Sequence, residues 1–316
     1  MKPSAEGLVP FKVPSVDEPC STFYKVFGDL SCGVPPVVGL HGGPGSGHLS
    51  LMAFTELWFR FGLPVILYDQ IGCGQSTLLV EKAGDKELWR EELFVAELEN
   101  LLAFFKLDQS GYYLLGSSWG GMLGSAFASR RPPGLLKLVL ASGVASCKLG
   151  TEAAWQRRNE LPAEMRKVWD EGDASNDYSS EAYKQVLTTF IQRYVCRADH
   201  LPDGFLDYMQ QFLENSHVYK TMVGRSLWIG GGSLSDWTVI PRLHQINVPT
   251  LVYNGEYDTS TDSTQTPFFN LIPTVHWKTI ANTSHASSLE KPDEVLGLVG
   301  NFLLPKSAGE DGANGY

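Results

Sequence analysis

The sequence predicts an α/β fold: a mostly parallel central sheet with helices on both faces and a helical cap inserted before a late strand. Three observations predict it. Short apolar runs alternate with longer stretches whose apolar residues recur at helical spacing. The apolar runs are continuous, which is typical of parallel strands buried on both faces. This alternation stops between about residues 149 and 242, which predicts the cap.

The predicted strands are short runs that end close to glycine, aspartate, asparagine or serine. Such residues commonly mark the change from a strand to a loop. The runs cover residues 23–27, 37–40, 64–68, 112–115, 138–140, 250–253 and 277–280.

The clearest helical pattern runs from residue 88 to residue 107. Its large apolar residues recur at helical spacing, as in a helix that buries one face. Further helices are predicted after Trp119, over 164–171 and 181–194, and over 293–304. The chain therefore divides into four parts. These are a first core part (1–148), a helical cap (149–242), a second core part (243–305) and a polar, glycine-rich tail (306–316) that we expect to be disordered.

Composition restricts the function classes. The 316 residues are 43% hydrophobic and 19% charged, with a formal net charge of −10, as in an ordinary globular protein. The negative charge argues against binding to nucleic acid or to an anionic membrane. Five scattered cysteines without CxxC spacing argue against a disulfide framework or a zinc site. We expect a cytoplasmic protein, because no signal peptide or membrane span is evident. We also expect that it needs no cofactor or metal.

Residues 116–120 match the pattern Gly-x-Ser-x-Gly, with Ser118 at its centre. The pattern alone is weak, because glycine and serine are common. Here an apolar strand precedes it and a helical run follows, which is the strand–turn–helix setting of a nucleophile elbow. Ser118 is therefore the candidate nucleophile, and Ser117 occupies the variable position. The alternative is a glycine-rich turn with an incidental serine.

A second glycine-rich loop, HGGPG at 41–45, follows an earlier strand. Acyl transfer needs N–H donors aimed at the oxygen on which negative charge develops. We predict that the backbone N–H groups of Gly43 and Trp119 form this oxyanion hole. A phosphate-binding loop is the rival interpretation, but the Lys-Ser/Thr and G-x-G-x-x-G signatures are missing. His41 is interpreted as structural, with a role in shaping the hole left open.

Asp258 and His285 complete the predicted triad. Asp258 lies just past a strand, and His285 lies in a loop after the run at 277–280. The chain order Ser, Asp, His is the order of α/β hydrolases. In this arrangement His285 accepts the Ser118 proton, and Asp258 fixes the imidazole tautomer. The alternatives, ranked lower by position, are Asp262, His276, His244, His48, His200 and His217.

These motifs together resemble the proline iminopeptidase family, and more closely its branch of tricorn-interacting aminopeptidases. The matching segments are HGGPG (41–45), DQIGCGQS (69–76), GSSWGG (116–121), GEYD (255–258) and the Ser-His pair at 284–285. The similarity runs from about residue 20 to residue 304. The resemblance implies an α/β-hydrolase fold and a serine peptidase or amidase with a helical cap. It also makes residues 69–76 a structural turn, in which Ile71 stands where the family has arginine.

One departure concerns the substrate. Family members that release N-terminal residues hold the substrate's ammonium with glutamates. An ungapped alignment places one such glutamate at Leu227, and the other position, directly after the triad aspartate, is Thr259. With Trp228 beside Leu227, this wall is predicted to be apolar, and the chain is predicted to be a poor N-terminal aminopeptidase. The residues that could still supply the charge are the cap glutamates Glu160 and Glu164 and, less favoured, Glu256.

The sequence thus predicts a serine hydrolase that cleaves a small amide, peptide-like or ester substrate through an acyl-enzyme. The substrate-binding candidates are Leu227, Trp228, Thr259 and Glu160. An acyltransferase or lyase on the same scaffold is the first alternative, because its chemistry could use the same residues. A non-catalytic ligand-binding protein is the second. The expected partner is a small molecule or short peptide, and the oligomeric state is left open.

Overall fold

The computed structural model describes residues 2–175, 177–198, 212, 216–224 and 230–304. Within these residues, eight strands form one sheet in the order β1-β2-β4-β3-β5-β6-β7-β8. The pairs β1–β2 and β2–β4 are antiparallel, and the pairs from β4 to β8 are parallel. The strands are β1 (Ala5–Phe11), β2 (Cys20–Phe27), β3 (Val37–Leu40), β4 (Val65–Asp69), β5 (Tyr112–Ser117), β6 (Leu135–Ala141), β7 (Thr250–Gly255) and β8 (Val275–Ile280).

Helices connect the parallel strands and cover both faces of the sheet. They are α1 (Glu56–Phe61), α2 (Glu91–Phe104), α3 (Leu107–Ser110), α4 (Trp119–Ala128), α5 (Cys147–Asn159), α6 (Ala163–Ser175), α7 (Glu181–Tyr194), α8 (Ser216–Met222), α9 (Asp262–Leu271), α10 (Ser287–Glu290) and α11 (Pro292–Leu303). In the part of the chain that the structure describes, 3₁₀ helices cover His48–Thr55, Val80–Lys82 and Ile240–Gln245. No helix in the described ranges is long and apolar enough to cross a membrane.

The continuous apolar runs of the strands are explained by two separate hydrophobic layers. Successive side chains of a strand point to opposite faces of the sheet. In β4, Ile66 and Tyr68 pack into the layer beneath α2 and α4, whereas Val65 and Leu67 pack into the layer beneath α1 and α11. Each residue of the strand is therefore buried, and the predicted α/β fold is confirmed.

The structure departs from the predicted pattern at several elements, among them β1, the helix predicted over 88–107, and the unpredicted helices α1 and α9. Residues of β1 were not predicted as a strand, because only two of its seven residues are buried and the alternation is short. The helix predicted over 88–107 is divided, because Lys106 adopts a left-handed conformation (φ 55°) between α2 and α3.

The stretch between β6 and β7 packs in two environments. Helices α5, α6 and α7 share a hydrophobic cluster of their own, which is centred on Trp169 and Phe190. Val218 and Met222 of α8 instead join the main core. The described residues between 149 and 242 form helices, turns and two single-pair bridges, one between Gly224 and Gly231 and one from Thr238 to Ser146. We call α5–α7 the helical insertion; that residues 149–242 act as a cap stays a prediction.

Candidate active site

Ser118 lies in a strained turn between β5 and α4. Its backbone angles, φ 57° and ψ −118°, are rare for a residue with a side chain. The turn is tight. A Cβ atom on Gly116 would lie 2.0 Å from the Gly120 carbonyl oxygen, and a Cβ atom on Gly120 would lie 1.9 Å from the Leu40 carbonyl oxygen. Both flanking residues must therefore be glycine, and the turn places Ser118 at the N-terminus of α4.

Asp258 and His285 form a direct pair at the same edge of the sheet. Asp258 Oδ1 lies 2.7 Å from His285 Nδ1, and it also accepts the Ser260 backbone N–H at 2.7 Å. Ser118, Asp258 and His285 follow β5, β7 and β8, whose carboxyl ends meet at one edge of the parallel sheet. The sequence-predicted residues therefore follow strands that end together.

The pair fixes the protonation of His285. Because the Asp258 carboxylate accepts a hydrogen bond from Nδ1, the neutral ring carries its proton there and Nε2 is left as an acceptor. Burial acts to lower the pKa of His285, but the adjacent Asp258 carboxylate outweighs it and raises the pKa above the ordinary 6.5. The His285 side chain is 23% exposed, so a substrate can reach it, whereas Asp258 is fully buried.

The loop at 41–45 lies against the Ser118 turn. A Cβ atom on Gly42 would lie 3.2 Å from the Ser118 Cβ atom, so glycine lets the two loops approach closely without a tight contact. Trp119 is the first residue of α4, and its N–H therefore has no acceptor within the helix. Gly43 has a φ of 103°, which a residue with a side chain rarely adopts. These are the two N–H groups that the sequence assigns to the oxyanion hole.

A hydrogen-bond chain supports this loop from behind. His41 Nε2 accepts the Gln70 backbone N–H at 2.9 Å, so Nδ1 carries the proton and donates to the Gly42 carbonyl at 2.9 Å. Burial lowers the pKa of His41 to about 4, and the ring is neutral at physiological pH. The Gln70 side chain accepts the Trp119 indole N–H at 2.8 Å. His41 thus links the two halves of the predicted oxyanion hole.

Residues 69–76 form the structural turn that the family resemblance implies. The backbone N–H and the Nδ1 atom of His48 each lie 2.7 Å from Asp69 Oδ1, and the Gln75 backbone N–H lies 2.9 Å from Oδ2. Burial acts to raise the pKa of Asp69, but these hydrogen bonds hold it below its usual value. Cys73 is buried in the same turn, and burial raises its thiol pKa, which disfavours the reactive thiolate.

Sequence reasoning missed a buried carboxyl behind this turn. Glu97 of α2 is fully buried, and it accepts the Thr22 hydroxyl at 2.5 Å and the Ile71 backbone N–H at 2.8 Å. Burial raises its pKa to about 8. The signal in the sequence is a glutamate among the apolar residues of α2, beside Phe94 and Leu98.

The substrate-binding candidates occupy different positions. Thr259 is 7% exposed, and its hydroxyl lies 3.4 Å from both Asp258 Oδ1 and His285 Nδ1. Glu160 follows α5; its carboxylate accepts the Tyr194 hydroxyl at 2.9 Å and pairs with Arg157 at 3.2 Å. Leu227 and Trp228 lie outside the described residues.

The lower-ranked alternatives have other neighbours. Asp262 bonds the side chains of Asn254 and Thr279. Glu256 accepts a backbone N–H from residue 282 at 2.8 Å. His217 bonds the backbone oxygen of residue 78, and His276 packs on an aromatic ring of α11. Both Asp262 and His217 thus have bonding partners of their own. His200 lies outside the described ranges.

Comparison with known proteins identifies the class first. The family model described as the alpha/beta hydrolase fold matches residues 35–292, so the chain is an α/β hydrolase. The proline iminopeptidase of Heyndrickxia coagulans is 30% identical over 275 residues, which are 87% of this chain and 92% of that protein. That of Levilactobacillus brevis is 30% identical over 86% of this chain and 89% of its own. The chain therefore belongs to the proline iminopeptidase family of hydrolases.

Two solved structures resemble the chain over nearly its whole length. The proline iminopeptidase of Mycobacterium smegmatis superposes with a TM-score of 0.85 at 36% identity, covering 95% of this chain and 97% of that one. The structure of VinJ superposes with a TM-score of 0.89 at 39% identity, covering 96% and 99%. The family resemblance stated from the motifs is confirmed.

Proposed function

We propose that the protein is a serine hydrolase that cleaves a small amide, peptide-like or ester substrate through an acyl-enzyme on Ser118. The observation that carries the proposal is the 2.7 Å Asp258–His285 pair at the sheet edge where β5 delivers Ser118 in a strained turn. A structural turn requires neither the strain at Ser118 nor a buried carboxylate paired with a partly exposed histidine.

The reaction proceeds in two halves. In the first, the Ser118 hydroxyl attacks the substrate carbonyl while His285 Nε2 accepts its proton, and the oxygen that becomes negative is stabilised by the N–H groups of Gly43 and Trp119. His285 then returns the proton to the departing amine or alcohol, which leaves the acyl group on Ser118. In the second half, water gives a proton to His285, attacks the ester carbonyl and releases the acid, and the proton returns to Ser118.

The acyl group that the site favours is neutral or N-blocked. Moving a free ammonium into a closed pocket removes its hydration, so the pocket must supply carboxylates or several acceptors. Thr259 offers a neutral hydroxyl directed at the Asp258–His285 pair, and the Glu160 carboxylate is engaged by Arg157 and Tyr194. These contacts support altered specificity relative to an enzyme that binds a free N-terminus.

The nucleophile is tested with a fluorophosphonate probe and mass spectrometry. We expect a single adduct on Ser118, and we expect Ser118→Ala to remain folded, to lose the adduct and to lose turnover by several orders of magnitude. An adduct on Ser117 or Cys73, or undiminished turnover by Ser118→Ala, would contradict the proposal.

Specificity is tested separately by comparing kcat/KM for an alanine or proline arylamide with that for its N-acetyl form. We expect the N-acetyl form to be preferred. A strong preference for the free amine would show that an ammonium site exists. Product analysis with and without an acceptor amine distinguishes hydrolysis from acyl transfer.

A further inference from the structure

We propose that Arg157, on helix α5 of the insertion, is a positioning residue that sets the geometry of the Asp258–His285 pair. The inference rests on the proposed function, because it assigns a role within that pair. Arg157 lies 101 positions from Asp258 in the chain, and its side chain is 15% exposed.

Arg157 holds both ends of the segment that carries Asp258. Its Nε donates to the Asp258 carbonyl oxygen at 2.9 Å, and its Nη2 donates to the Glu256 carbonyl oxygen at 2.7 Å. Between them, the Tyr257 side chain packs against the hydrophobic cluster of the insertion, with the Arg197 guanidinium 4.3 Å from its ring centroid. The backbone on which Asp258 is mounted is therefore fixed by the insertion.

The insertion also holds the loop that carries His285. The backbone N–H of His285 donates to the Tyr194 carbonyl at 3.3 Å, and that of Ala286 donates to the Val195 carbonyl at 2.8 Å. These carbonyls lie at the C-terminal end of α7, where no further turn of helix uses them. Both loops of the pair are thus attached to the insertion.

Arg157 and Tyr194 join these two attachments. The Arg157 guanidinium lies 5.4 Å from the centroid of the Tyr194 ring, and Glu160 bonds both side chains. The Asp258 loop and the His285 loop are therefore held by one connected group of three residues: Arg157, Tyr194 and Glu160.

A positioning role follows from the geometry that the reaction requires. Misplacement of a catalytic group by about 1 Å can reduce a rate by about 100-fold. Only arginine presents several N–H groups in a rigid fork, and lysine cannot span two carbonyl oxygens in the same way. Loss of the fork frees the Asp258 segment without removing a group that touches the substrate.

The test uses three variants of the full chain: Arg157→Lys, Arg157→Gln and Arg157→Ala. We expect kcat to fall by about 10- to 100-fold while KM changes by less than about threefold. The rate of Ser118 labelling by a small fluorophosphonate should fall by a similar factor, because such a probe makes few contacts with the insertion. Millimolar guanidinium ion should restore part of the labelling rate of Arg157→Ala and leave that of the native protein unchanged.

Arg166→Gln is the matched control. Arg166 lies on α6 of the same insertion and donates to the Asn159 carbonyl at the end of α5, not to the segment that carries Asp258. We expect Ser118 of the Arg166→Gln variant to be labelled at the native rate. Arg157→Lys retains charge and most of the side chain, so it remains informative if the shorter variants fail to fold.

Two results would overturn the inference. One is native labelling rates in the folded Arg157 variants, with activity lost through KM alone, which would make Arg157 a substrate-pocket residue. The other is an equal loss in Arg166→Gln, which would indicate a general effect of the insertion's stability. Failure of the proposed function gives a different result, since Ser118 of the native protein would then not be labelled.

Discussion

The negative charge of Asp258 raises the pKa of the adjacent His285, and this pKa should set the pH dependence of kcat/KM. His285 accepts a proton only when neutral, so kcat/KM should fall with decreasing pH through a pKa above 6.5. Replacing Asp258 by asparagine removes the charge that holds this pKa up. The acid limb should therefore move to lower pH in the variant.

We expect Asp258→Asn to reduce kcat by about three to four orders of magnitude, because asparagine can stabilise the wrong tautomer of His285. The check is a pH–rate profile of both proteins, with circular dichroism to establish that the variant is folded. An acid limb at the same pH in both proteins would show that Asp258 does not control His285.

Glu97 predicts a pH dependence of stability. Its carboxyl ionises near pH 4.5 in the unfolded chain and at about pH 8 when folded. Between these values the unfolded state binds fewer protons than the folded state. The free energy of unfolding should therefore fall as pH rises, by up to about 1.4 kcal/mol per pH unit from this group. The contribution is complete below pH 4.5 and is lost by about pH 8.

Glu97→Gln removes this titration while retaining an acceptor for the Ile71 N–H. We expect the variant to be more stable than the native protein at pH 8, with the difference shrinking or reversing at pH 5. Urea unfolding at the two pH values measures this. Glu99→Gln is the control, because Glu99 is exposed on the same helix. A pH-independent difference for Glu97→Gln would contradict the assigned pKa.

The turn that carries Ser118 is an element whose sequence requirement can be tested. Gly120→Ala would place a Cβ atom 1.9 Å from the Leu40 carbonyl oxygen, which belongs to backbone and cannot rotate away. We expect a loss of about 3 kcal/mol or a failure to fold. Gly124→Ala, one turn along α4, places its Cβ atom 3.4 Å from the nearest side chain, and we expect it to be tolerated because alanine favours helix.

Thermal unfolding of both variants gives the comparison. Equal stability of Gly120→Ala and the native protein would show that the turn adapts, and the strain at Ser118 would then have another origin.

The elements themselves follow from the sequence to differing degrees. Helix α7 begins and ends where the pattern predicts it. Six parallel strands match predicted runs, and in five of them, β3 to β7, burial on two faces leaves a continuous apolar signal. Strand β1 was missed because its outer residues are exposed. Arg157 gave no signal, since its function depends on a contact with a residue 101 positions away. Glu97 was missed for a similar reason, as its partners Thr22 and Ile71 come from other elements.

At the scale of the whole molecule, Glu91 connects distant parts of the chain. It is 6% exposed and pairs with Arg130 after α4, and with Arg242 and Trp237 after α8. Burial acts to raise its pKa, but the hydrogen bonds from Arg242 and Trp237 lower it overall. Its contribution is therefore present above pH 4.5 and is lost as the pH falls below that value.

Glu91→Ala leaves two arginines and an indole without their acceptor. We expect it to lower the free energy of unfolding by about 2–4 kcal/mol. The loss should lie toward the lower end of this range, because both arginines are partly exposed and water screens their charges. Denaturant unfolding at pH 7 measures the loss, with Glu92→Ala as the control, since Glu92 is exposed on the same turn. If Glu91→Ala loses less free energy of unfolding than Glu92→Ala, the contacts of Glu91 with the two arginines and the indole add nothing to stability.

The attachment of the Asp258 and His285 loops to α5–α7 also acts in the reverse direction. A coupling free energy between two parts of a protein is reciprocal. If the insertion fixes the relative positions of Asp258 and His285, then a ligand that fixes those positions must also reduce the mobility of the insertion. A covalent adduct on Ser118 should slow amide hydrogen exchange in α5 and α7 more than in α11, which packs in the same hydrophobic layer as α1. Turnover would then be accompanied by alternating decreases and increases in the amide exchange rates of α5 and α7.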